Sequence, residues 1–403
     1  MDKRRGRLKL IKDPLHGYVE LNLSELRIVD TRVFQRLRRI GQLPLAYLVY
    51  PGARHSRFDH SLGSFHLAKE YVTHLGLDEY WSKVVTVAAL LHDVGHTPYS
   101  HLLESILLEH GVSHEDISIK LILEEPELAS AIEDYEVRPR DVADVLLKKT
   151  RESSIISGPI DVDRLDYLVR DSYFTGAMYG LIDTRRIIRL SSFVEGRLAV
   201  HIRGLGAIEE LAIARLQSFL NIYFHHATRG AQQLLLNAVK KLEEELNIAS
   251  MSLEEYIEHD DLTIWALLRS SNKTRDIIKR LESRKLPKRV YETRMIGEHP
   301  HYNILKNRDI QAKVSEEIAG EAGVEPDLVW IDTPYVPPVS TDESVYAPFF
   351  VEEGAATRLV EVESPFLKQV SEAFNIIRVY TDSAEREKIA KAAARFFGSP
   401  TMR

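Results

Sequence analysis

At 403 residues the chain exceeds what one hydrophobic core usually organises, so more than one compact unit is expected. Apolar residues make up 44% and charged residues 28%, an ordinary globular balance. The net charge of −7 argues against a surface that grips nucleic acid all round, while local basic patches leave nucleic acid open as a partner. There is no cysteine, which excludes disulfides, thiol nucleophiles and thiolate metal sites, so any metal must be held by His and carboxylates.

In chain order, Met1–Lys12 is basic, lacks the apolar core of a signal peptide and reads as a solvated tail. From Leu23 to about Asn247 apolar residues recur at three- and four-residue spacing, as in Leu62, Phe65, Ala68 and Val72, which predicts a helical bundle. Val84 to Leu91 is apolar apart from Thr86 and predicts a central buried helix too short to span a membrane. Around Phe193 to Ile202 the pattern changes to a short β-hairpin turning at Glu195-Gly196. Beyond Asn247 the sequence predicts charged helices through Ala319, extended segments at Leu328 to Tyr335 and Tyr346 to Val351, then a strand at Ile376 to Tyr380 and a helix from Ser383 to Phe397. The expected fold class is mainly α. A first domain over 1–247 carries the helical core and the hairpin, and 248–403 forms a smaller α+β region without an assigned function. A cytoplasmic protein with no membrane partner follows from the same composition.

Nine of the 16 histidines fall between His55 and His114, a concentration that points to local use of imidazole. Imidazole with carboxylate suits first-row transition metals, and open coordination positions leave room for water and a phosphate oxygen. The buried helix ends in Leu91-His92-Asp93-Val94-Gly95-His96-Thr97-Pro98. His92 and His96 would share a face if the helix ran one more turn, whereas Gly95 and Pro98 predict that it stops and aims His96 into a cleft. Alone, this doublet is a common helix-end polar pair. Its partners lie at Arg57-Phe58-Asp59-His60-Ser61 and at Ile160-Asp161-Val162-Asp163-Arg164-Leu165-Asp166-Tyr167.

This set resembles the HD superfamily of metal-dependent phosphohydrolases, with one His, a His-Asp doublet and a distant Asp. The resemblance is greatest to deoxynucleoside triphosphate triphosphohydrolases, including the type with a sterile-alpha-motif domain, which does not precede the matching motifs here. It runs from about Lys12 to Asn237, through Asp13-Pro-Leu-His-Gly, Phe34-Gln-Arg-Leu-Arg-Arg-Ile-Gly-Gln-Leu, Arg57-Phe-Asp-His-Ser-Leu-Gly, His92-Asp-Val-Gly-His-Thr-Pro-Tyr-Ser-His and Asp161-Val-Asp-Arg-Leu-Asp-Tyr. It implies His60, His92, Asp93 and Asp163 as metal ligands. Iron, manganese, zinc, nickel and cobalt all fit, with magnesium open at an adjacent site.

The resemblance further implies attack on the α-phosphorus, releasing a deoxynucleoside and triphosphate. His96, His101 and His114 would lie along the phosphates, with His101 as general acid. Glu104 stands where many relatives have Asp, which leaves its contact open. Arg57, Arg164 and Arg215 would meet phosphate charge and Tyr167 would add a hydroxyl, although an isolated Arg is more often a surface salt-bridge residue. Arg164 replaces the lysine of some relatives. Gln42 and Leu43 match positions near the deoxyribose, Asp171 would accept from its 3′-hydroxyl, and Tyr223 would fill the space of a 2′-hydroxyl. His225 matches a family position without a derivable role. Asp30, Gln35 and Arg38 match residues that, in activated relatives, bind a guanine nucleotide between subunits of a dimer or tetramer. Their spacing also suits helix capping and surface pairing, and Lys12 departs from the expected N-terminal pattern. Two rival readings stay open: an HD phosphatase or phosphodiesterase acting on nucleotides or short nucleic acids, and a non-catalytic nucleotide-binding regulatory scaffold.

Overall fold

The computed structural model describes residues 8–296, 300–305, 307–336, 348–354, 356–362, 364–370 and 374–401. Contrary to the solvated tail expected at the N-terminus, strand β1 (Lys9–Asp13) pairs antiparallel with β2 (Gly17–Leu21), from Lys9 opposite Leu21 to Asp13 opposite Gly17. The cause lies in β2, where Val19 and Leu21 are fully buried and draw the basic strand across them. Gly17, at φ +77, makes the turn. Residues 1–7 of the expected tail lie outside the described residues.

The helical core is built as the periodicity predicts. The helix Arg57–Leu75 opens on a Ser56–Asp59 capping box and stops at Gly76, and its Leu62, Phe65, Ala68 and Val72 are buried. Asp78 caps the helix Glu79–Leu91, in which every residue from Val84 to Leu91 is buried. That helix ends at Leu91, so His92 and His96 do not share a further helical turn. The helix Val162–Thr175 packs against Arg57–Leu75, and Gly63 permits the approach: a Cβ there would stand 1.9 Å from Asp166 Oδ1.

The hairpin β3 (Ser191–Val194) and β4 (Arg197–His201) turns at Glu195 and Gly196, both at positive φ, as predicted. It extends into a four-stranded sheet in which β4 runs parallel to β8 (Phe349–Glu353) and β8 pairs with β9 (Ala356–Val360). A second sheet orders β5 (Lys288–Ile296), β10 (Phe374–Thr381) and β6 (Val329–Asp332), with the short β7 (Tyr335–Val336) also on β10. Strand β5 corrects the expectation of uninterrupted charged helices through Ala319. Its charged Glu292 is buried among arginines, so polarity that reads as a helix surface is neutralised inside a sheet. The terminal helix is Arg386–Phe397.

Among the described residues the apolar side chains gather into two large cores and a small cluster of Val194, Ala199 and Phe350 on the hairpin sheet. The larger runs from Val19 through Leu286 and includes Ile257, Ile264, Leu268 and Ile278 beyond Asn247. The smaller surrounds β5, β6 and β10 with Tyr291, Ile318, Ile377, Val379 and Ile389. No helix among the described residues is long and apolar enough to cross a membrane.

Candidate active site

His60 lies in the first turn of Arg57–Leu75, His92 caps Glu79–Leu91 with Asp93 after it, and Asp163 sits in the first turn of Val162–Thr175. Three helix ends thus converge. His60 Nε2 is 3.3 Å from His92 Nε2 and 3.0 Å from Asp163 Oδ1, and His92 Nε2 is 3.4 Å from Asp93 Oδ1. The other nitrogen of each ring is spent. His92 Nδ1 donates to the Ala89 carbonyl, which can only accept, and His60 Nδ1 donates to Asp166 Oδ2, both at 2.8 Å. Both Nε2 atoms are therefore turned toward each other and toward two carboxylates, the donor set of a transition-metal cation. Burial opposes a charge on His60, yet its hydrogen bonds to Asp163 and Asp166 outweigh burial and lift its pKa to about 10. Positive charge is strongly favoured at this point, and a metal ion would meet the same field as the proton. Asp163 is the open side, with 37% of its side chain exposed.

A second group borders the first. His101 and His114 each begin a helix, and Glu104 ties them together. Glu104 Oε2 accepts from His101 Nδ1 at 2.7 Å, while Oε1 accepts from His114 Nδ1 and from the His114 backbone N–H at 3.0 Å. Burial opposes its charge, but the two imidazoles hold Glu104 well below the usual carboxylate range. The contact left open by sequence is thus a double one. His96 is fully buried, stacks on His114 at 3.9 Å, and has Nε2 3.4 Å from Asp93 Oδ1, so it joins the two groups. Burial and the nearby Arg57 hold it neutral, and neither ring nitrogen has a hydrogen-bond partner among the described residues.

His92, Asp93 and Asp163 of the first group and His96, His101 and His114 line one cavity of about 1390 Å³, with His60 and Glu104 behind them, and the cavity also takes in Gln42, Leu43, Arg57, Arg164, Tyr167, Asp171, Arg215 and Tyr223. These are not equally available. Arg57 is buried and donates to Asp93 Oδ2 at 2.7 Å and to Ser100 Oγ at 3.0 Å, so it braces a ligand-type carboxylate. Arg164 donates to the Gly158 carbonyl. Arg215 differs: burial lowers its pKa, and its Nε and one terminal nitrogen lack partners among the described residues. Asp171 accepts from Tyr223 Oη at 2.8 Å and from His55 at 2.7 Å. Tyr223 closes a single π-helical turn, Phe219–Tyr223, and its ring stands edge-on to that of Tyr167 at 6.5 Å.

Residues 182–402 match the HD associated region, and residues 57–171, which hold both groups, match the HD domain. The chain belongs to the HD-domain family. An uncharacterised protein of Methanocaldococcus jannaschii is 37% identical over 287 residues, covering 70% of this chain and 59% of the relative. A deoxynucleoside triphosphate triphosphohydrolase homologue of Dictyostelium discoideum is 29% identical over 316 residues, covering 70% and 60%. This chain therefore spans less than two thirds of either relative. The crystal structure of a hypothetical protein from Aquifex aeolicus superposes with a TM-score of 0.78 at 28% identity, covering 96% of this chain and 100% of the other.

The roles of several residues that support the HD site escaped the sequence reading. Asp166 holds His60, accepts from His16 Nε2 at 2.7 Å and pairs with Arg170, which also donates to Asp13 at 2.9 Å. The Asp13-Pro-Leu-His16 motif is thus a brace for a ligand-type histidine. Arg36, fully buried, donates to the His96 carbonyl at 2.9 Å and to the His259 carbonyl at 2.7 Å. His55, stacked on Phe174 at 4.7 Å, orients Asp171. His225 caps the helix His226–Lys240. Asp30, Gln35 and Arg38 lie away from this cavity's lining. Asp30 caps a short helix, and Gln35 donates to the Val29 carbonyl while accepting from Arg38 Nε, both at 2.8 Å.

Proposed function

We propose that this HD-domain protein is a metal-dependent phosphohydrolase that converts deoxynucleoside triphosphates to deoxynucleoside and triphosphate. The observation that carries the reading is the shared cavity, where a His/Asp donor set, a His–Glu–His relay and a half-buried Arg215, two of whose nitrogens have no partner among the described residues, meet. His60, His92, Asp93 and Asp163 would hold iron, manganese, zinc, nickel or cobalt, leaving room for magnesium beside them. Such an ion would supply Lewis acidity toward water and phosphate oxygen.

The chain's own groups do the rest. Arg215, half-buried and short of acceptors among the described residues, binds the triphosphate, aided by Arg164 and the Tyr167 hydroxyl, which burial first and foremost keeps protonated with a pKa of about 12. Arg57 holds Asp93 ionised and in place. Glu104 fixes the ring of His101, whose Nε2 carries the proton to the leaving 5′-oxygen, while the neutral His96 and, beside it, His114 line the phosphates, the neutrality of His96 following from its burial. Gln42, Leu43, Asp171 and Tyr223 receive the sugar, with Tyr223 crowding the 2′ position. The triphosphohydrolase name borne by the Dictyostelium discoideum relative supports this substrate class. Self-association, with Asp30, Gln35 and Arg38 taking an activating guanine nucleotide, belongs to the same proposal, and the exposure of Leu10, Tyr18 and Leu23 near Asp30 in sequence is compatible with it.

Product analysis tests the reading. Each dNTP and NTP is incubated with protein loaded with each metal in turn, and products are separated by chromatography. Deoxynucleoside plus triphosphate is expected. Orthophosphate or shortened oligonucleotide would transfer the protein to the phosphatase or phosphodiesterase reading, and stoichiometric metal without turnover would favour the scaffold.

A further inference from the structure

The loop that delivers His101 is held in a costly conformation. Tyr99 and Ser100 both sit at positive φ, 57° and 51°, where residues other than glycine are strained unless their surroundings fix them. What fixes them comes from outside the segment matching the HD domain. Asp261, the first residue of the helix Asp261–Ser270, accepts from the Tyr99 backbone N–H at 2.6 Å through Oδ1 and from the Gly41 backbone N–H at 3.0 Å through Oδ2. The Tyr99 hydroxyl returns to the Asp261 carbonyl at 2.9 Å, and Ser100 Oγ donates to the Gly41 carbonyl at 2.8 Å. Gly41 precedes Gln42 and Leu43, and Ser100 precedes His101, so one carboxylate joins the two loops that carry candidate sugar and proton-donor residues.

The neighbouring chain reinforces this. Tyr256 Oη donates to the Gly95 carbonyl at 2.7 Å, the His259 carbonyl receives Arg36, and Asp260 caps the helix and pairs with Arg39. The segment 256–261 thus touches the backbone on both sides of His96 and just ahead of His101.

We propose that Asp261 is a positioning residue for His101: by clamping Tyr99 and Gly41 it holds the proton donor at its working distance from the cavity. The inference rests on the general-acid role given to His101 above. Displacing a reacting group by about 1 Å can cost about 10²-fold in rate, so a remote carboxylate can matter this much without touching substrate.

Asp261→Asn keeps the shape but confronts one backbone N–H with an amide NH₂ that cannot accept. In the manganese-loaded full chain, single-turnover hydrolysis of a dNTP should fall about 10- to 100-fold. Hydrolysis of 4-nitrophenyl triphosphate, whose leaving phenolate departs without a proton, should be nearly unchanged, as should metal content. Tyr99→Phe removes the other arm of the clamp without touching the carboxylate, and should show the same selectivity at smaller size even if Asp261→Asn fails to fold. Equal slowing of both substrates, or no slowing, in the folded variants overturns the inference. His101→Ala, run in parallel, separates the failures. If it lacks selectivity for the leaving group, the proton-donor assignment falls and this inference with it; if it has that selectivity and the clamp variants do not, only the clamp is wrong.

Discussion

Two buried charge networks, one in the HD core and one in the C-terminal sheet, contrast in how completely they are satisfied. In the sheet, Glu292 is 3% exposed and accepts from Arg378 Nε at 2.6 Å, from Arg294 Nε at 2.8 Å and from Arg289, while Arg378 goes on to the Phe224 carbonyl at 2.6 Å. Burial opposes its charge, but the arginines hold its pKa at about 2. This network is closed. Around the HD cavity the network is open: among the described residues His96 has both ring nitrogens unpartnered and Arg215 has two unpartnered donors, and the Nε2 atoms of His60 and His92 face each other. Buried polar groups are normally paired, so the open network is the one suited to take a ligand and the closed one to fasten structure.

The strongest way to break the contrast is to dismantle the donor set. His92→Ala with Asp93→Ala should abolish turnover and metal retention together, and elemental analysis beside the product assay decides it. A metal-loaded, active double variant would refute the ligand assignment. The wild-type protein should also gain stability with added metal, about 2.7 kcal/mol at one hundred times the dissociation constant, and the variant should not. Next in size is His101→Ala. Loss of a proton donor costs about 10²- to 10⁴-fold in rate, with metal content and substrate affinity retained, whereas loss of affinity at unchanged rate would make His101 a phosphate ligand.

How much of this was legible beforehand follows range in sequence. The helical core, the hairpin turning at Glu195-Gly196 and the His92-Asp93 doublet are local patterns, and the structure has them where periodicity and spacing predict. The braces were illegible because each spans a long separation. His16 and Asp166 are 150 residues apart and His55 and Asp171 are 116 apart, and nothing in either local sequence announces the other. Strand β5 was read as helix because its charges look like a solvated surface: Arg289 and Arg294 are local partners of Glu292, but the buried Arg378 that completes the set arrives from β10, 86 residues away. Arg36 was visible as part of a motif, but its task, gripping main-chain carbonyls, leaves no trace in side-chain chemistry.

The closed network is sharpened by Glu292→Gln. Three arginines would lose their carboxylate, at a cost of about 3–5 kcal/mol, with HD-site metal binding intact. The pH dependence has a definite sign. A carboxyl depressed from 4.5 to about 2 stabilises the fold fully above pH 4.5 and loses that contribution as pH falls toward 2. Denaturant unfolding of both proteins should therefore show the largest difference near neutrality, closing in acid. A difference that persists at pH 2 would mean that lost packing, not charge, sets the cost.

The smallest effect is expected at Tyr223, where the open network meets the sugar. Its hydroxyl is tied to Asp171, which His55 also holds, so the ring is fixed from two sides. A fixed ring can exclude a 2′-hydroxyl by volume, but a pocket that rejects one added hydroxyl by shape alone seldom exceeds about 10²-fold in selectivity. Tyr223→Ala should therefore narrow the dNTP-to-NTP ratio in kcat/KM by less than that. Most of the change should appear as faster NTP turnover, because the ribonucleotide gains space while the deoxyribonucleotide merely loses a neighbour. Tyr223→Phe divides the cause further. It keeps the ring and releases Asp171, so retained selectivity with weaker dNTP binding would locate discrimination in ring volume and sugar affinity in the carboxylate. A ratio unchanged in Tyr223→Ala would place sugar discrimination on the opposite wall, at Gln42 and Leu43.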